Sequence, residues 1–543
     1  MTKIFLFITA FFLFASCDSA DQSTEPSTID MQFTQFDVTL SSGEVSVGLI
    51  DNDNFTITLT GIEEPLNIKS VTYAYSDEVT LVTPTPESKI GTWSVTEQFR
   101  LHSGGGYQDY TVTLPDFQER TYESQATISP LETFGVETKY HMIDLNANPS
   151  QLISEAAYTA YGQGGMNGIR FPLYCGDYYG GHPEPGVVVE SVYEKPLQSL
   201  ENAKNSYYGS EPFLIFVGIK CMTSDKNEYY PDWVSSESDY IKPGMYAQMI
   251  VDFIEFMDQK GYEIYGVAID KEGVRMGVDD FKESVDSIRA MTARLGYLVP
   301  KIVAPELWKP NGNTSSGYMN TLYSKGYEAR YDIFGNHYYP KHHSLSVFTN
   351  LEYEYNLAQT DKARPYWATE PHWDGDAVLW VTEDVFSAMF VQTDLGMEAF
   401  MWWSYPLTGS SNVKGPIMRA YSDAILRSTP IRMLDHDGEE VFTKGKLQTR
   451  AYLRDNEVNV FLINVVNPDE EGLEAISYED YAVGILDGYS VDGKVLVRQW
   501  REGTEDDTSF EGEVRKIDPV SDNQFLIDIP SGSFTQLTFN ITE

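Results

Sequence analysis

Four short runs decide the fold: Lys301-Ile302-Val303-Ala304, Ile333-Phe334-Gly335-Asn336, Arg364-Pro365-Tyr366-Trp367-Ala368-Thr369 and Glu398-Ala399-Phe400-Met401-Trp402-Trp403. They are mostly apolar and recur about every 30 residues, as strands do in repeated βα units. Upstream lie four more such runs, Tyr140–Leu145, Gly168–Leu173, Phe213–Ile219 and Tyr265–Ile269. Amphipathic stretches separate them, among them Tyr246–Gln259, Asp280–Leu295 and Val381–Leu395. Strands alternating with helices imply a parallel sheet. Eight such units over about 290 residues fit an α/β fold of the (β/α)8 TIM barrel type, assigned to residues 136–427. An open doubly wound sheet is the alternative, but no GxGxxG or P-loop glycine pattern supports it.

Outside that region the period changes to two. Phe33-Thr34-Gln35-Phe36-Asp37-Val38-Thr39-Leu40 and Asn54-Phe55-Thr56-Ile57-Thr58-Leu59 are largely apolar at alternate positions. Tyr110–Leu114 reads as a closing strand, and Gly, Asn, Asp and Pro punctuate the whole. Residues 31–135 are therefore assigned to an N-terminal β-sandwich. Asn459–Asn464, Lys494–Val497 and Gly532–Phe539 are strands of a second β-sandwich, assigned to 428–543. The expected order is sandwich, barrel, sandwich.

The chain has 543 residues, 42% of them hydrophobic, so it can bury large cores. Lys and Arg number 38 and Asp and Glu 81, for a formal net charge of -43. A field of that sign repels nucleic acid and anionic membranes. At the start, Lys3 precedes an apolar run, Ile4–Phe14, too short to span a bilayer and typical of an export signal. Leu13-Phe14-Ala15-Ser16-Cys17 resembles a bacterial lipoprotein box, with Phe14 where a smaller aliphatic residue is usual. That implies cleavage before Cys17, its lipidation, and a tether over 18–30. An ordinary cleaved signal is the alternative. The expected location is exported and anchored by lipid to the bacterial outer membrane, with no other membrane contact. Cys175 and Cys221 follow strands that would be neighbours, so either a disulfide or two buried thiols fits. No clustered His/Cys spacing suggests a metal, and no cofactor is expected.

In a (β/α)8 barrel, functional groups sit at the carboxyl ends of the strands. Strand two ends near Arg170, and strand four runs into Asp270-Lys271-Glu272. Strand five ends near Glu306 and Trp308, and strand six in His337-Tyr338-Tyr339. Strand seven ends in Glu370, followed by His372 and Trp373, and strand eight in Trp402 and Trp403. Carboxylates on strands four and seven can face each other across a barrel mouth. A carboxylic acid that protonates a leaving oxygen, facing a carboxylate that attacks carbon, is what a retaining glycosidase needs. Aromatics suit the apolar faces of sugar rings.

The same residues resemble a known family. Tyr265–Gly273 resembles the strand-four segment of glycoside hydrolase clan A, which ends in Asn-Glu. Trp367-Ala368-Thr369-Glu370 resembles its strand-seven nucleophile segment, and His337-Tyr338-Tyr339 its strand-six His-x-Tyr. Pro231-Asp232-Trp233 followed by Lys242–Tyr246, and the ending Asp528–Thr535, are similar to segments of glycoside hydrolase family 30. The resemblance covers residues 138–543. It implies Glu272 as general acid/base and Glu370 as nucleophile, their pKa values held apart. It also implies that Arg170 keeps Glu370 ionised, that Tyr339 hydrogen-bonds it, and that Trp402 or Trp403 floors the sugar subsite. Two departures stand out. Lys271 replaces the Asn that contacts the sugar 2-hydroxyl, and Gly273 replaces the usual Pro.

Blander readings compete. Glu370 could be a carboxylate at a helix start, and Asp270-Lys271-Glu272 a solvated loop. Glu306 could be a salt-bridge partner, and His337 a core histidine. Adjacent strand residues face opposite ways, so only one of Trp402 and Trp403 can point into the barrel. The expected function is a retaining hydrolase of β-linked polysaccharide, with xylan, glucan or an agar-type galactan as candidate backbones. Its expected partner is the polysaccharide or oligosaccharide substrate. A carbohydrate-binding lipoprotein on a barrel that lost catalysis is the alternative, and Lys271 motivates it.

Overall fold

The computed structural model describes residues 31–543 except 63–67, 91–92, 94, 105, 117–123, 134, 147, 176–178, 221–229, 236–240, 270–275, 307–312, 339–363, 372–378, 380–385, 387–388, 391, 404–413, 436–446, 466–475, 487 and 503–511. The chain forms two compact units, Met1–Tyr122 and Glu123–Glu543.

In the first unit, Phe33–Leu40 pairs with Val45–Val47 and Ile68–Tyr75 in a three-stranded sheet. A five-stranded sheet runs Leu49–Asp51, Thr56–Thr58, Gly106–Thr113, Thr96–Ser103, Leu81–Thr83. The alternation in 33–40 buries Phe33, Phe36, Val38 and Leu40, and they pack on Trp93, Phe99, Leu101 and Tyr110 from the second sheet and its loops. Each large apolar side chain buried this way contributes about 1.5–3 kcal/mol.

In the second unit, eight parallel strands close a barrel in chain order. They are Tyr140–Asp144, Gly168–Tyr174, Leu214–Lys220, Gly266–Ala268, Lys301–Pro305, Ile333–Tyr338, Tyr366–Pro371 and Met397–Trp402. All eight runs read from the sequence are strands here. Helices Glu190–Ser206, Pro243–Gln259, Val278–Leu295, Asn313–Ser324 and Lys414–Ile425 alternate with them. Local chemistry sets helix ends. Pro243 begins its helix where a missing N–H costs nothing, and Gly296 ends Val278–Leu295 at φ 82°.

Both faces of every barrel strand are covered, so the strands read as continuous apolar runs. Met142, Leu214, Phe216, Ala268, Val303, Ile333, Trp367, Ala399 and Met401 fill the interior. Trp367 lies parallel to Tyr265, ring centroids 6.1 Å apart, and edge-on to Tyr140 at 5.5 Å. Ile143, Ile169, Phe171, Val217, Ile269 and Phe400 face outward into the helix layer.

A nine-stranded sheet completes the unit. Its order is Glu513–Ile517, Ser490–Arg501, Ser533–Thr542, Glu457–Asn464, Gln448–Arg454, Thr429–Asp435, Ala126–Thr133, Tyr478–Ile485, Gln524–Ile529. It wraps around one apolar core, and the Gln499 amide donates to the Asp528 carbonyl across it. Ala126–Thr133 corrects the expected boundary at residue 135. This strand pairs antiparallel with Thr429–Asp435 and parallel with Tyr478–Ile485, inside the C-terminal sheet. Alternation marks a strand but not its partners, so the sequence placed it with its neighbours in the chain.

Cys175 is disulfide-bonded, which resolves the two readings of that residue; Cys17 and Cys221 lie outside the described residues. Among the described residues no helix is long and apolar enough to cross a membrane.

Candidate active site

The strands deliver a charged cluster to the carboxyl end of the barrel. Arg170 is the third residue of strand two, in register with Asp144, the last residue of strand one. Inward alternation from Gly168 points its side chain to the barrel axis, and its guanidinium lies 6.0 Å from the Phe216 ring. Nη1 donates to Asp144 Oδ2 at 2.5 Å and to Glu370 Oε2 at 2.7 Å. Nη2 donates to Glu306 Oε2 at 3.0 Å. His337 Nε2 stands 3.1 Å from Glu306 Oε2 and 3.5 Å from Glu370 Oε2. All five residues are buried.

Two of the carboxylates reach the axis through backbone irregularities. Trp367 faces the interior, so strict alternation would turn Glu370 outward. The pairing Asn336 to Ala368 is followed by His337 to Glu370, leaving Thr369 unpaired as a bulge. That extra residue brings Glu370 back to the inner face. Glu306 adopts φ 55°, a left-handed conformation rare outside glycine, just beyond strand five. Such strain persists where surrounding contacts enforce it, and here the Glu306 amide donates to the Gly335 carbonyl at 2.9 Å. Two glycines make room. A methyl on Gly218 would meet Arg170 Nε at 2.5 Å, and one on Gly335 would meet Val303 Cγ1 at 2.3 Å and Glu306 Oε1 at 3.0 Å.

Three carboxylates surround one guanidinium without solvent. Taking ions out of water costs several kcal/mol each, and only mutual attraction and hydrogen bonds offset it. Burial acts to lower the Arg170 pKa, but Asp144, Glu306 and Glu370 outweigh it and raise it, so the guanidinium stays charged. Burial pushes Asp144 up to about 6, assisted by the Glu370 charge and opposed by Arg170. Behind the cluster, burial lowers His141 to about 3. It accepts a hydrogen bond from Trp402 Nε1.

Trp403 and Trp402 part as alternation requires. Trp402 is buried in the outward layer beside His141, which corrects its expected place in the sugar site. Trp403 is half-buried, with Lys220 Nζ 4.5 Å from its ring centroid. Lys220 ends strand three on the inward phase of Leu214, Phe216 and Gly218. Strand four is braced from behind, where Tyr246 OH donates to the Ile269 carbonyl at 2.5 Å. Of the residues expected at the site, the fold brings together Arg170, Glu306, His337 and Glu370. Lys271, Glu272, Trp308, Tyr339, His372 and Trp373 lie outside the described residues. Asp144 and Lys220 were missed, although Asp144 is the one acidic residue of the predicted run Tyr140–Leu145 and Lys220 directly follows the predicted run Phe213–Ile219. Among the described residues no group of three or more His, Cys, Asp or Glu could hold a metal ion.

No protein-family model matches the chain. The glucuronoxylanase XynC of Bacillus subtilis (strain 168) is 25% identical over 267 residues, which make up 44% of this chain and 60% of that protein. The chain thus spans about three-fifths of that relative's length. A glycoside hydrolase family 30 endoxylanase from Clostridium papyrosolvens C71 superposes with a TM-score of 0.55 at 14% identity, over 77% of this chain and 100% of that one. An endo-β1,6-glucanase superposes with a TM-score of 0.51 at 12% identity, over 78% of this chain and 96% of that one. With its closed eight-stranded barrel and companion β-sheet domain, the chain has the fold of the glycoside hydrolase family 30 endoxylanase on which it superposes.

Proposed function

We propose that the chain is a retaining glycoside hydrolase that cleaves a β-linked polysaccharide by double displacement. One observation carries the reading. Glu370, at the carboxyl end of strand seven, is brought to the barrel axis by a bulge and held by Arg170 at 2.7 Å. A guanidinium at that distance favours the ionised carboxylate a nucleophile requires. Glu370 attacks the anomeric carbon as the bond to the leaving oxygen breaks, and Glu272 protonates that oxygen. Water, deprotonated by Glu272, then displaces Glu370 and releases the sugar with retained configuration. Trp403 offers the sugar an apolar face. Xylan, β-glucan and an agar-type galactan are the candidate backbones. The names of the xylanases and the glucanase of similar fold support the first two. Export and a lipid anchor at Cys17, on the outer membrane, complete the reading.

Replacing Glu370 by Gln removes the nucleophile without changing its size. Release of reducing ends across a panel of those polysaccharides is expected to fall by on the order of 1,000-fold or more. Wild-type activity in that variant would end the assignment. A second reading, a carbohydrate-binding protein without catalysis, draws on Lys271 in place of the clan's Asn. Tight binding of oligosaccharide that the wild-type chain leaves intact would favour it.

A further inference from the structure

Resting on Glu370 as nucleophile, we propose that Asp144 is a positioning residue for it, clamping Arg170 from strand one so that Nη1 points at Glu370. The geometry is specific. Asp144 Oδ2 and Glu370 Oε2 accept from the same nitrogen, at 2.5 and 2.7 Å. Asp144 Oδ1 is occupied by the Asn146 amide at 2.7 Å, so the carboxylate is held at both oxygens. Gly218, with no side chain, lets the guanidinium come close to strand three. Without Asp144, Nη1 loses one of its two carboxylate partners, and the fork can shift against its remaining contacts to Glu306 and Glu370.

Asp144 also sets the charge count. Among the described residues it faces Arg170 on strand two, Glu370 on strand seven, and beyond them Glu306 and His337, with Tyr174 also within its field. Three carboxylates against one guanidinium leave an excess of negative charge, and the strand-one member holds a proton more readily than a free Asp. The sign follows. An acid whose folded pKa is raised adds stability below its unfolded value and loses it as pH rises through the folded value. The window here runs from about 4 to about 6. Buried His141 and His182, lowered to about 3 and about 4, act oppositely, and both remain in a variant of Asp144.

The test is Asp144→Asn in the full chain. Asn supplies one acceptor where two donors point, so the clamp fails while the volume is kept. The wild-type-minus-variant difference in Tm is expected to be larger near pH 4.5 than near pH 7.5. On the polysaccharide cleaved in the panel, kcat is expected to fall about tenfold or more with KM within about twofold. Asp144→Glu should restore part of kcat. A Tm difference independent of pH, or an unchanged kcat, overturns the proposal. Should Asp144→Asn not fold, Asp144→Glu decides: reduced kcat with KM retained supports the clamp, and wild-type kcat refutes it. If Glu370→Gln stays active while the Tm difference still tracks pH, the nucleophile assignment has failed and the clamp on Arg170 has not.

Discussion

Gly218 shows how little space the cluster leaves. Alanine there would put a methyl 2.5 Å from Arg170 Nε and 2.7 Å from Asn146 Nδ2. The guanidinium has little room to retreat, since Arg170 is held by three carboxylates. Gly218→Ala is expected to cost about 1–3 kcal/mol by overpacking. Its larger effect should be on turnover, with kcat down about tenfold or more as the guanidinium swings off Glu370. Denaturant unfolding and steady-state kinetics separate the two. The rule that polar residues gather at strand ends singled out Arg170, Glu306, His337 and Glu370, and the fold brings these four into one buried cluster. Applied to strand one it would also have found Asp144, next to last in the run Tyr140–Leu145. Alternation foresaw that Trp402 and Trp403 must part, but not which faces in, because that depends on the phase of the whole barrel.

At the level of elements, periodicity located every barrel strand, and the reason is physical. A strand buried on both faces has no polar alternation to confuse its edges. What it could not show is the bulge at Thr369, since Trp367 and Glu370 share a face only when one residue drops out of register. Helix Pro243–Gln259 makes a further prediction. Tyr246→Phe removes the donor to the Ile269 carbonyl, which closes the described part of strand four. A buried carbonyl left unpaired costs about 1–3 kcal/mol. If Glu272 acts as proposed, kcat should fall as well, because the loosened strand end leads directly into it. Thermal unfolding and kcat of Tyr246→Phe check both expectations. A variant as stable as wild type would show that the hydroxyl is not what holds the strand.

Over the whole molecule, the least legible feature was which sheet a strand joins. Ala126–Thr133 reads like any strand near it in sequence, yet it fills the gap between Thr429–Asp435 and Tyr478–Ile485. A chain shortened to begin at Ser124 keeps that strand and is expected to give a soluble, folded protein. One shortened to begin at Val136 opens two interior strands as raw edges, which invite aggregation. Size-exclusion chromatography and circular dichroism of the two truncations decide the matter, and equal solubility would contradict it. The charge of -43 belongs to this scale too. It says nothing of the fold, and the Arg170 cluster, with three carboxylates around one guanidinium, shares its sign.

The early strand has a consequence for biosynthesis. Ala126–Thr133 leaves the ribosome roughly 350 residues before Tyr478–Ile485, its later neighbour, has been made. At about 5–20 residues per second, that is a wait of roughly 18–70 seconds. For most of it both flanks of the segment are bare, since its other neighbour, Thr429–Asp435, is made only about 50 residues before Tyr478–Ile485. One of the first barrel-flanking strands to be made is thus among the last to be paired, and until residue 485 is made it is an open strand edge of the kind that invites pairing with other chains.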